Sequence, residues 1–310
     1  MIVSHHKSMK NDSSDRGILD LIAQTDSHRI FENHSKGYQE WFPAARQILA
    51  ELGYSVEEPG LSQAEDAWEY LLDYCEALEK QRSWSSLRGL LMAADHFASA
   101  MGHRTQEKIK HTFKTPDISP FKPTTPGGTP FPLTDMSVDD TREHTLLVAP
   151  TGAGKTDFLI RRCEGKRIFY LLPFQASINA MWLRIQQKLP NTRVYMQHAA
   201  SPLFLKLQDP DAFEEEYSLH GLVGSSVKVL TPHQISNLVL GSPGFEAAML
   251  DLKGTAVILD EIHTYSDLSK SLVLEIVKVL LKLNCSIHIG TATLRTQSFS
   301  KILAYWEETE

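Results

Sequence analysis

The spacing of apolar residues changes along the chain. From the start to about Met101, apolar side chains recur every three to four positions, which is the period of an amphipathic helix. Two stretches show this spacing most clearly, 64–78 and 87–97, and the second places Asp95 among small and apolar neighbours. The pattern predicts an α-helical domain over residues 1–112.

Prolines, glycines and threonines dominate the next segment. Six prolines fall between Thr115 and Pro132. Proline donates no backbone hydrogen bond and interrupts helices and central strands, so we expect no regular structure here. We interpret residues 113–140, which end in the acidic stretch 135–140, as a linker.

From residue 141 onward, short apolar runs alternate with helical patterns. After a first run at Thr145–Ala149, the others are Arg167–Leu172, Thr192–Met196, Ser226–Leu230, Thr255–Leu259 and Cys285–Gly290. This alternation predicts a parallel sheet with helices on both faces over residues 141–310, and the apolar strands beside the first turn suit its buried centre. The predicted fold class is therefore α + α/β.

A glycine-rich turn follows the first of these runs. It has the pattern of a phosphate-binding loop, in which backbone N–H groups and a lysine surround the phosphates of a nucleotide. The pattern assigns Lys155 to the β- and γ-phosphates and the Thr156 hydroxyl to magnesium. Ala149 stands where the pattern most often has glycine. The residues predicted to bind nucleotide are Thr151, Gly152, Ala153, Gly154, Lys155 and Thr156.

A second motif, Asp260-Glu-Ile-His263, ends an apolar strand. Asp260 is assigned to the magnesium shell opposite Thr156, and Glu261 to polarising the water that attacks the γ-phosphate. A strand that merely ends in solvated acids is the alternative. The phosphate loop argues against it, because both motifs face the same crevice of a parallel sheet. The predicted catalytic residues are Lys155, Asp260, Glu261 and His263.

Composition narrows the class of protein. The chain has 310 residues, 42% of them hydrophobic, and a net charge of −7. That charge predicts no global nucleic-acid surface, so contacts with DNA would require a local groove. Cys75, Cys163 and Cys285 lack metal-ligand spacing, and the apolar runs are too short to span a bilayer. We therefore expect a cytoplasmic protein without a membrane partner.

The Asp-Glu-Ile-His motif resembles the DExH form found in superfamily 2 helicases, and further motifs of that family follow the same order. Leu172–Ala180 and Thr231–Gln234 resemble segments that touch the nucleic-acid backbone, and Gly290–Thr293 resembles the motif that couples hydrolysis to strand movement. The resemblance implies a RecA-like doubly wound domain that uses ATP and Mg²⁺. It implies nucleic-acid or coupling roles for Pro173, Gln175, Thr231, Pro232, Gln234, Thr291 and Thr293.

Two longer segments, Phe169–Met181 and Asp260–Tyr265, resemble the helicase of type I CRISPR interference. In that family an HD-type metal nuclease precedes the helicase, and its last motifs are a His-His pair and a late aspartate on a helix. Ser4-His5-His6 and Ala93–Ser99 match these motifs, although on spacing alone the histidines read more simply as a solvated terminus. The resemblance implies that His5, His6 and Asp95 belong to an incomplete nuclease site, which holds a divalent transition metal in the full-length HD domain.

The chain departs from this family at three places. The earlier nuclease motifs have no counterpart before His5, the sequence stops soon after Thr293 without a second RecA-like domain and its arginine finger, and no adenine-reading glutamine lies between Lys108 and Phe174. We expect residues 1–112 to be the end of an HD domain and residues 141–310 to be helicase domain 1. We also expect weak MgATP binding and little hydrolysis from this chain.

The resemblance further implies single-stranded DNA and a CRISPR surveillance complex as partners. Two alternatives stay open, a superfamily 2 ATPase of a restriction or repair system and a docking or nucleic-acid-binding module without turnover. Genomic neighbours that encode other interference subunits would favour the CRISPR role. Equal DNA binding with and without MgATP, in the absence of hydrolysis, would favour the module.

Overall fold

A computed structural model divides the chain into two compact units. The first comprises Met1–Arg88 with Gly241–Pro243, and the second comprises Gly89–Leu240 with Gly244–Glu310. The structure describes residues 31–32, 35–51, 55, 57, 60, 62–63, 65–70, 73, 86–122, 131–198, 200–201, 206, 223–241, 244–293 and 304. The assignment of residues 1–112 and 141–310 to a nuclease and a helicase domain stays a prediction.

The described part of the first unit contains helix α1, Tyr38–Glu51. Three aromatic rings meet near its start, where Tyr38 stacks on Phe42 with centroids 4.8 Å apart and meets Trp41 edge-on at 5.2 Å. Residues 65–70 are also helical, as their apolar spacing predicts.

The second unit is built around a parallel sheet. Its described strands are β1 Thr145–Val148, β2 Ile168–Leu171, β3 Val194–Gln197, β4 Val227–Leu230, β5 Ala256–Leu259 and β6 Ser286–Thr291. They lie in the order β1-β6-β5-β2-β4-β3, and every neighbouring pair is parallel. The predicted parallel sheet is confirmed.

Helices and short 3₁₀ turns connect these strands. The helices after α1 are α2 Ser86–Met101, α3 Thr105–Ile109, α4 Lys155–Arg161, α5 Gln175–Lys188, α6 Asn237–Leu240, α7 Phe245–Leu252 and α8 Asp267–Lys282. The 3₁₀ turns are Gly102–Arg104, Ser119–Phe121, Pro232–Ile235 and Ile262–Thr264. Among the helices that the structure describes, none has the length and apolar character needed to cross a bilayer.

The inner strands β2, β4, β5 and β6 are buried at every position, which explains why most of their side chains are apolar. β1 differs, because among the described residues it pairs only with β6, and Val148 is 51% exposed. The phosphate loop therefore starts from an edge of the described sheet, with β6 between it and the centre.

Part of the segment predicted as a linker lies in the core of the second unit. Ile118, Phe121 and Leu133 are buried in the same apolar cluster as the strand residues. Arg162 fixes the next stretch, because its guanidinium donates to the carbonyl oxygens of Val138 and Asp140 at 2.7 and 2.9 Å. Apolar side chains between the prolines thus anchor this segment although it has little regular structure.

Helix α2 forms where the spacing predicts it, but one of the apolar side chains that produce this spacing is exposed. Met92 and Phe97 are buried, whereas Leu90 is 52% exposed. Gly89 explains the choice, because a Cβ at this position would lie 2.5 Å from the carbonyl oxygen of Glu246 on α7. Close backbone approach at a glycine selects the buried side of the helix.

Candidate nucleotide and nucleic-acid site

The predicted site residues follow the carboxyl ends of five strands, which share one edge of a parallel sheet. The phosphate loop follows β1, Pro173 follows β2, Thr231 follows β4 and Asp260 follows β5, while Thr291 ends β6. The strand order places the loop, Thr291 and Asp260 side by side. Pro173 and Thr231 come next along the same edge.

The backbone of the phosphate loop is shaped for an anion. Gly152 and Gly154 have φ angles of 81° and 89°, in the left-handed region that glycine enters without strain. Lys155 is buried, and its Nζ donates to the carbonyl oxygens of Ala149 and Pro150 at 2.9 and 3.2 Å. The ammonium group is thus held at the loop, where phosphate oxygens can replace the carbonyls as acceptors.

Residues 131–134 lie against this loop, a contact that the sequence did not reveal. The Leu133 N–H donates to the carbonyl oxygen of Ala153 at 3.0 Å. A Cβ at Gly154 would lie 2.9 Å from the Thr134 Oγ1. Glycine is therefore required at position 154 both for its backbone angle and for this packing.

Asp260 is the buried acid of the site. It is 4% exposed, and its N–H donates to the carbonyl oxygen of Leu171 at the end of β2, at 3.1 Å. Its Oδ1 accepts the Glu261 N–H at 2.9 Å, and its Oδ2 accepts the Tyr170 hydroxyl at 2.6 Å. Both side-chain partners are uncharged donors.

Tyr170 is the neutral side-chain partner of this acid. Its side chain is fully buried, and its hydroxyl donates to the Asp260 Oδ2. Burial, and then the negative charge of Asp260, raise the pKa of Tyr170 well above its ordinary value, so the phenol keeps its proton. Sequence reasoning missed this residue, because in the sequence it is one aromatic in an apolar run.

The side-chain oxygen atoms of Asp260 and Thr156 are of the kind that the predicted magnesium ion requires. A carboxylate and a hydroxyl are the hard oxygen ligands that Mg²⁺ prefers. Gly290 keeps the space beside them open, because a Cβ there would lie 2.7 Å from the Asp260 Oδ1 and 2.7 Å from the Leu159 Cδ1. No sequence signal distinguished Gly290 from an ordinary strand glycine.

Asp260 and Glu261, the acid pair of the site, are connected to β6 through His263. Glu261 has a φ of 55°, an uncommon conformation for a residue with a Cβ, and its Oε2 lies 3.2 Å from the His263 Nδ1. The same Nδ1 lies 3.2 Å from the Thr291 Oγ1, and the Thr291 hydroxyl donates to the carbonyl oxygen of Thr293 at 2.7 Å. A continuous set of polar contacts therefore runs from the acid pair to the end of β6.

The residues predicted to touch nucleic acid lie at the starts of two helical turns. Gln175 is exposed at the first position of α5, directly after Phe174. Thr231 has an extended backbone, and the Gln234 N–H donates to its carbonyl oxygen at 3.0 Å. Pro232 is buried and shapes the turn from within.

The predicted nuclease metal site is only partly in view. Asp95 lies half-buried on α2, whereas His5 and His6 lie outside the described residues. Within the described part of the chain, no group of three or more His, Cys, Asp and Glu side chains could hold a metal ion. Metal binding by these three residues stays a prediction.

A family model for DEAD/DEAH box helicases matches residues 134–302. This match covers more than half of the chain, and the chain belongs to the DEAD/DEAH box helicase family. That family accounts for the phosphate loop and the acid pair on one sheet edge.

Among individual proteins, the chain is similar to the CRISPR-associated nuclease/helicase Cas3 of Methanothermobacter thermautotrophicus, with 26% identity over 217 residues, 67% of this chain and 26% of that protein. A putative Cas3 of Methanocaldococcus jannaschii is 23% identical over 169 residues, 49% of this chain and 23% of the relative. The chain thus spans about a quarter of the length of these relatives. The predicted resemblance to CRISPR helicases is confirmed.

Solved structures show the same fold. The crystal structure of T. fusca Cas3 has a TM-score of 0.59 at 19% identity, over 85% of this chain and 36% of that one. The T. fusca Cas3-AMPPNP structure gives 0.60 at 18% identity with the same coverage. The predicted RecA-like fold is confirmed by this likeness.

Proposed function

We propose that this chain is the ATP-binding part of a motor that moves along single-stranded DNA in CRISPR interference. The shared sheet edge carries the proposal, because it holds the phosphate loop and Asp260 beside Thr291, with Pro173 and Thr231 further along. A motor needs its nucleotide site and its strand site on one framework, so that a change at the first reaches the second.

In this proposal the phosphates of ATP bind the loop, and the Lys155 ammonium exchanges its carbonyl acceptors for phosphate oxygens. Thr156 and Asp260 hold Mg²⁺, which when bound neutralises charge that develops on the β- and γ-phosphates. Glu261 polarises the water and orients it in line with the γ-phosphate.

Coupling passes through one imidazole. The His263 Nδ1 lies 3.2 Å from both the Glu261 Oε2 and the Thr291 Oγ1. A turn of Glu261 toward the attacking water breaks the first contact and changes the second. Because the Thr291 hydroxyl also bonds to Thr293, this change extends to the segment after β6.

The CRISPR part of the proposal rests on the similarity to the two Cas3 proteins, whose names describe nuclease/helicases. For the whole protein it includes a surveillance complex as partner and an HD nuclease that uses a divalent transition metal at His5, His6 and Asp95. The cytoplasmic location expected from the sequence also stays a prediction.

Lys155→Ala tests the nucleotide site. We expect MgATP to bind about 10- to 100-fold more weakly, because a hydrogen bond to a charged group contributes about 1.5–3 kcal/mol. Isothermal titration calorimetry measures the affinity. Lys166→Ala is the matched control, because Lys166 pairs with Glu143 at 2.8 Å at the surface. Equal affinity of wild type and Lys155→Ala for MgATP would contradict the proposal.

A labelled single-stranded oligonucleotide tests the second half of the proposal. We expect MgATP to change the affinity of the chain for the oligonucleotide, and Lys155→Ala to remove that change. Fluorescence anisotropy with and without MgATP measures both. Oligonucleotide binding that is the same in both conditions, with no ATP hydrolysis, would identify the chain as a docking module instead.

A further inference from the structure

One hydrogen bond joins two buried side chains at the site. The Tyr170 hydroxyl donates its one proton to the Asp260 Oδ2 at 2.6 Å. Because Tyr170 has no second proton, the direction of this hydrogen bond is set, from the phenol to the carboxylate.

This hydrogen bond leaves room for a cation on the carboxylate. A carboxylate has about four lone-pair sites, and Asp260 uses two of them for Tyr170 and for the Glu261 N–H. The Asp260 oxygens can therefore still receive an ion and its water molecules.

We propose that Tyr170 is a positioning residue for magnesium, which orients the Asp260 carboxylate toward the ion before it binds. The inference rests on the proposed function, because it concerns the magnesium of the same nucleotide site. It adds a residue from β2 to a site whose other members come from the phosphate loop and from the end of β5.

Burial makes the phenol hard to replace. Tyr170 has no exposed surface and Asp260 is 4% exposed, so bulk water cannot supply the missing donor when the hydroxyl is removed. The backbone reinforces the arrangement, because Tyr170 lies opposite Ile258 in the β2–β5 register, two positions before Asp260. Removal of a residue that hydrogen-bonds to a metal ligand typically weakens metal binding by about 10- to 100-fold.

Tyr170→Phe tests the proposal, because it removes one oxygen and keeps the ring. Calorimetry of ATP binding is run in EDTA and over a magnesium titration. We expect wild-type affinity in EDTA, and about a tenfold higher magnesium concentration for half of the magnesium effect. A role in folding alone would not move this magnesium midpoint.

Tyr265→Phe is the matched control. Tyr265 is also buried, and the negative charge of Asp260 contributes to raising its pKa, so the two groups are near each other. Its hydroxyl has no hydrogen-bond partner among the described residues. Removal of this phenol is expected to leave the magnesium midpoint at the wild-type value.

The possible results distinguish the role of Tyr170 from the proposed function. An unchanged magnesium midpoint in Tyr170→Phe would overturn the role of Tyr170 and leave the proposed function standing. A wild-type chain whose ATP affinity ignored both magnesium and Lys155→Ala would overturn both.

A second measurement covers the case in which Tyr170→Phe does not fold. 3-Fluorotyrosine is placed at position 170 or at position 265, and ¹⁹F NMR follows the addition of MgATP relative to ATP in EDTA. The resonance at 170 is expected to shift with magnesium and the resonance at 265 to shift less. A resonance at 170 that shows no magnesium-dependent shift would overturn the proposal.

Discussion

Asp251 and Asp260 are buried aspartates that flank β5 in the sequence, and they differ in the partners that their carboxylates have. Asp251, in the last turn of α7, is 3% exposed and pairs with Arg167 and Lys228, and it also accepts the Gly224 N–H at 2.7 Å. Asp260 accepts hydrogen bonds from a phenol and a backbone N–H. No described residue forms a salt bridge with it.

This difference separates an acid that is matched within the protein from one that the proposed function assigns to magnesium. Burial alone would raise the pKa of Asp251, but Lys228 and Arg167 hold it below its ordinary value. The acid is therefore matched within the protein. Asp260 is buried without a cationic partner among the described residues. An acid of the second kind is suited to bind a divalent ion.

We expect the largest effect on stability from Asp251→Asn. The change leaves Arg167 and Lys228 buried without their counter-charge, which lowers the free energy of unfolding by about 3–5 kcal/mol. Asp260→Asn removes an acid that no described cation matches, so we expect a change below about 1 kcal/mol. Urea denaturation followed by circular dichroism measures both variants.

Asp157→Asn is the control for burial. Asp157 also pairs with one arginine and one lysine, Arg184 at 2.5 Å and Lys188 at 3.2 Å, but these partners are partly exposed. Such pairs contribute about 0–1 kcal/mol. Similar losses of stability in Asp157→Asn and Asp251→Asn would show that burial does not set the contribution of these ion pairs.

His288 extends the comparison to a buried group with no partner. It is 1% exposed, and neither ring nitrogen has a hydrogen-bond partner among the described residues. Burial, followed by the positive charge of Arg162, lowers its pKa from 6.5 to about 3. The unfolded chain therefore binds a proton below pH 6.5 that the folded chain refuses, so acid favours unfolding until the pH reaches about 3.

His288→Leu tests this contribution of His288 to the pH dependence of stability. Wild type is expected to lose about 2 kcal/mol more stability than the variant between pH 7.5 and pH 5, because only wild type carries the histidine that titrates on unfolding. Urea denaturation at the two pH values measures the difference. His103→Gln, at an exposed turn, is the control and should follow wild type. A wild-type pH dependence that persists in His288→Leu would show that other groups cause it.

Gly290→Ala is expected to give the smallest effect, on the Asp260 side of the comparison. The added Cβ would lie 2.7 Å from the Asp260 Oδ1, so the carboxylate must move. We expect the magnesium-dependent part of ATP affinity to fall about tenfold, as when a hydrogen-bond partner of a metal ligand is removed. The calorimetric magnesium titration measures it.

Gly89→Ala is the control for crowding, since its Cβ would lie 2.5 Å from a carbonyl oxygen on α7, away from the site. It should lower stability and leave the magnesium titration unchanged. A normal magnesium titration in Gly290→Ala would show that Asp260 tolerates displacement and needs no fixed position.

Much of the fold and half of the site could be predicted because their signals are local. Mostly apolar runs between turn residues marked the strands, and the predicted and observed ends differ by no more than two residues. Gly152, Gly154 and Lys155 carry the pattern of the phosphate loop within a few positions. Asp260 was predictable for the same reason, since it directly follows a buried strand.

The surroundings of Asp260 could not be predicted, because strand order chooses them. Tyr170 precedes the acid by 90 residues and reaches it only because β2 lies beside β5. Gly290 reaches it from β6 on the other side of β5. Residues 131–134 likewise meet the phosphate loop through folding, in a segment whose prolines indicated only a linker.

The family of this protein and the residues of its candidate nucleotide site could be read from the sequence, because such a site is encoded in short loops whose backbone and charge are local properties. The partners of each buried acid depended on the tertiary structure. Counter-ions and proton donors come from strands and helices far apart in the chain, so they matched Asp251 and left Asp260 with a neutral phenol only when the sheet brought them together.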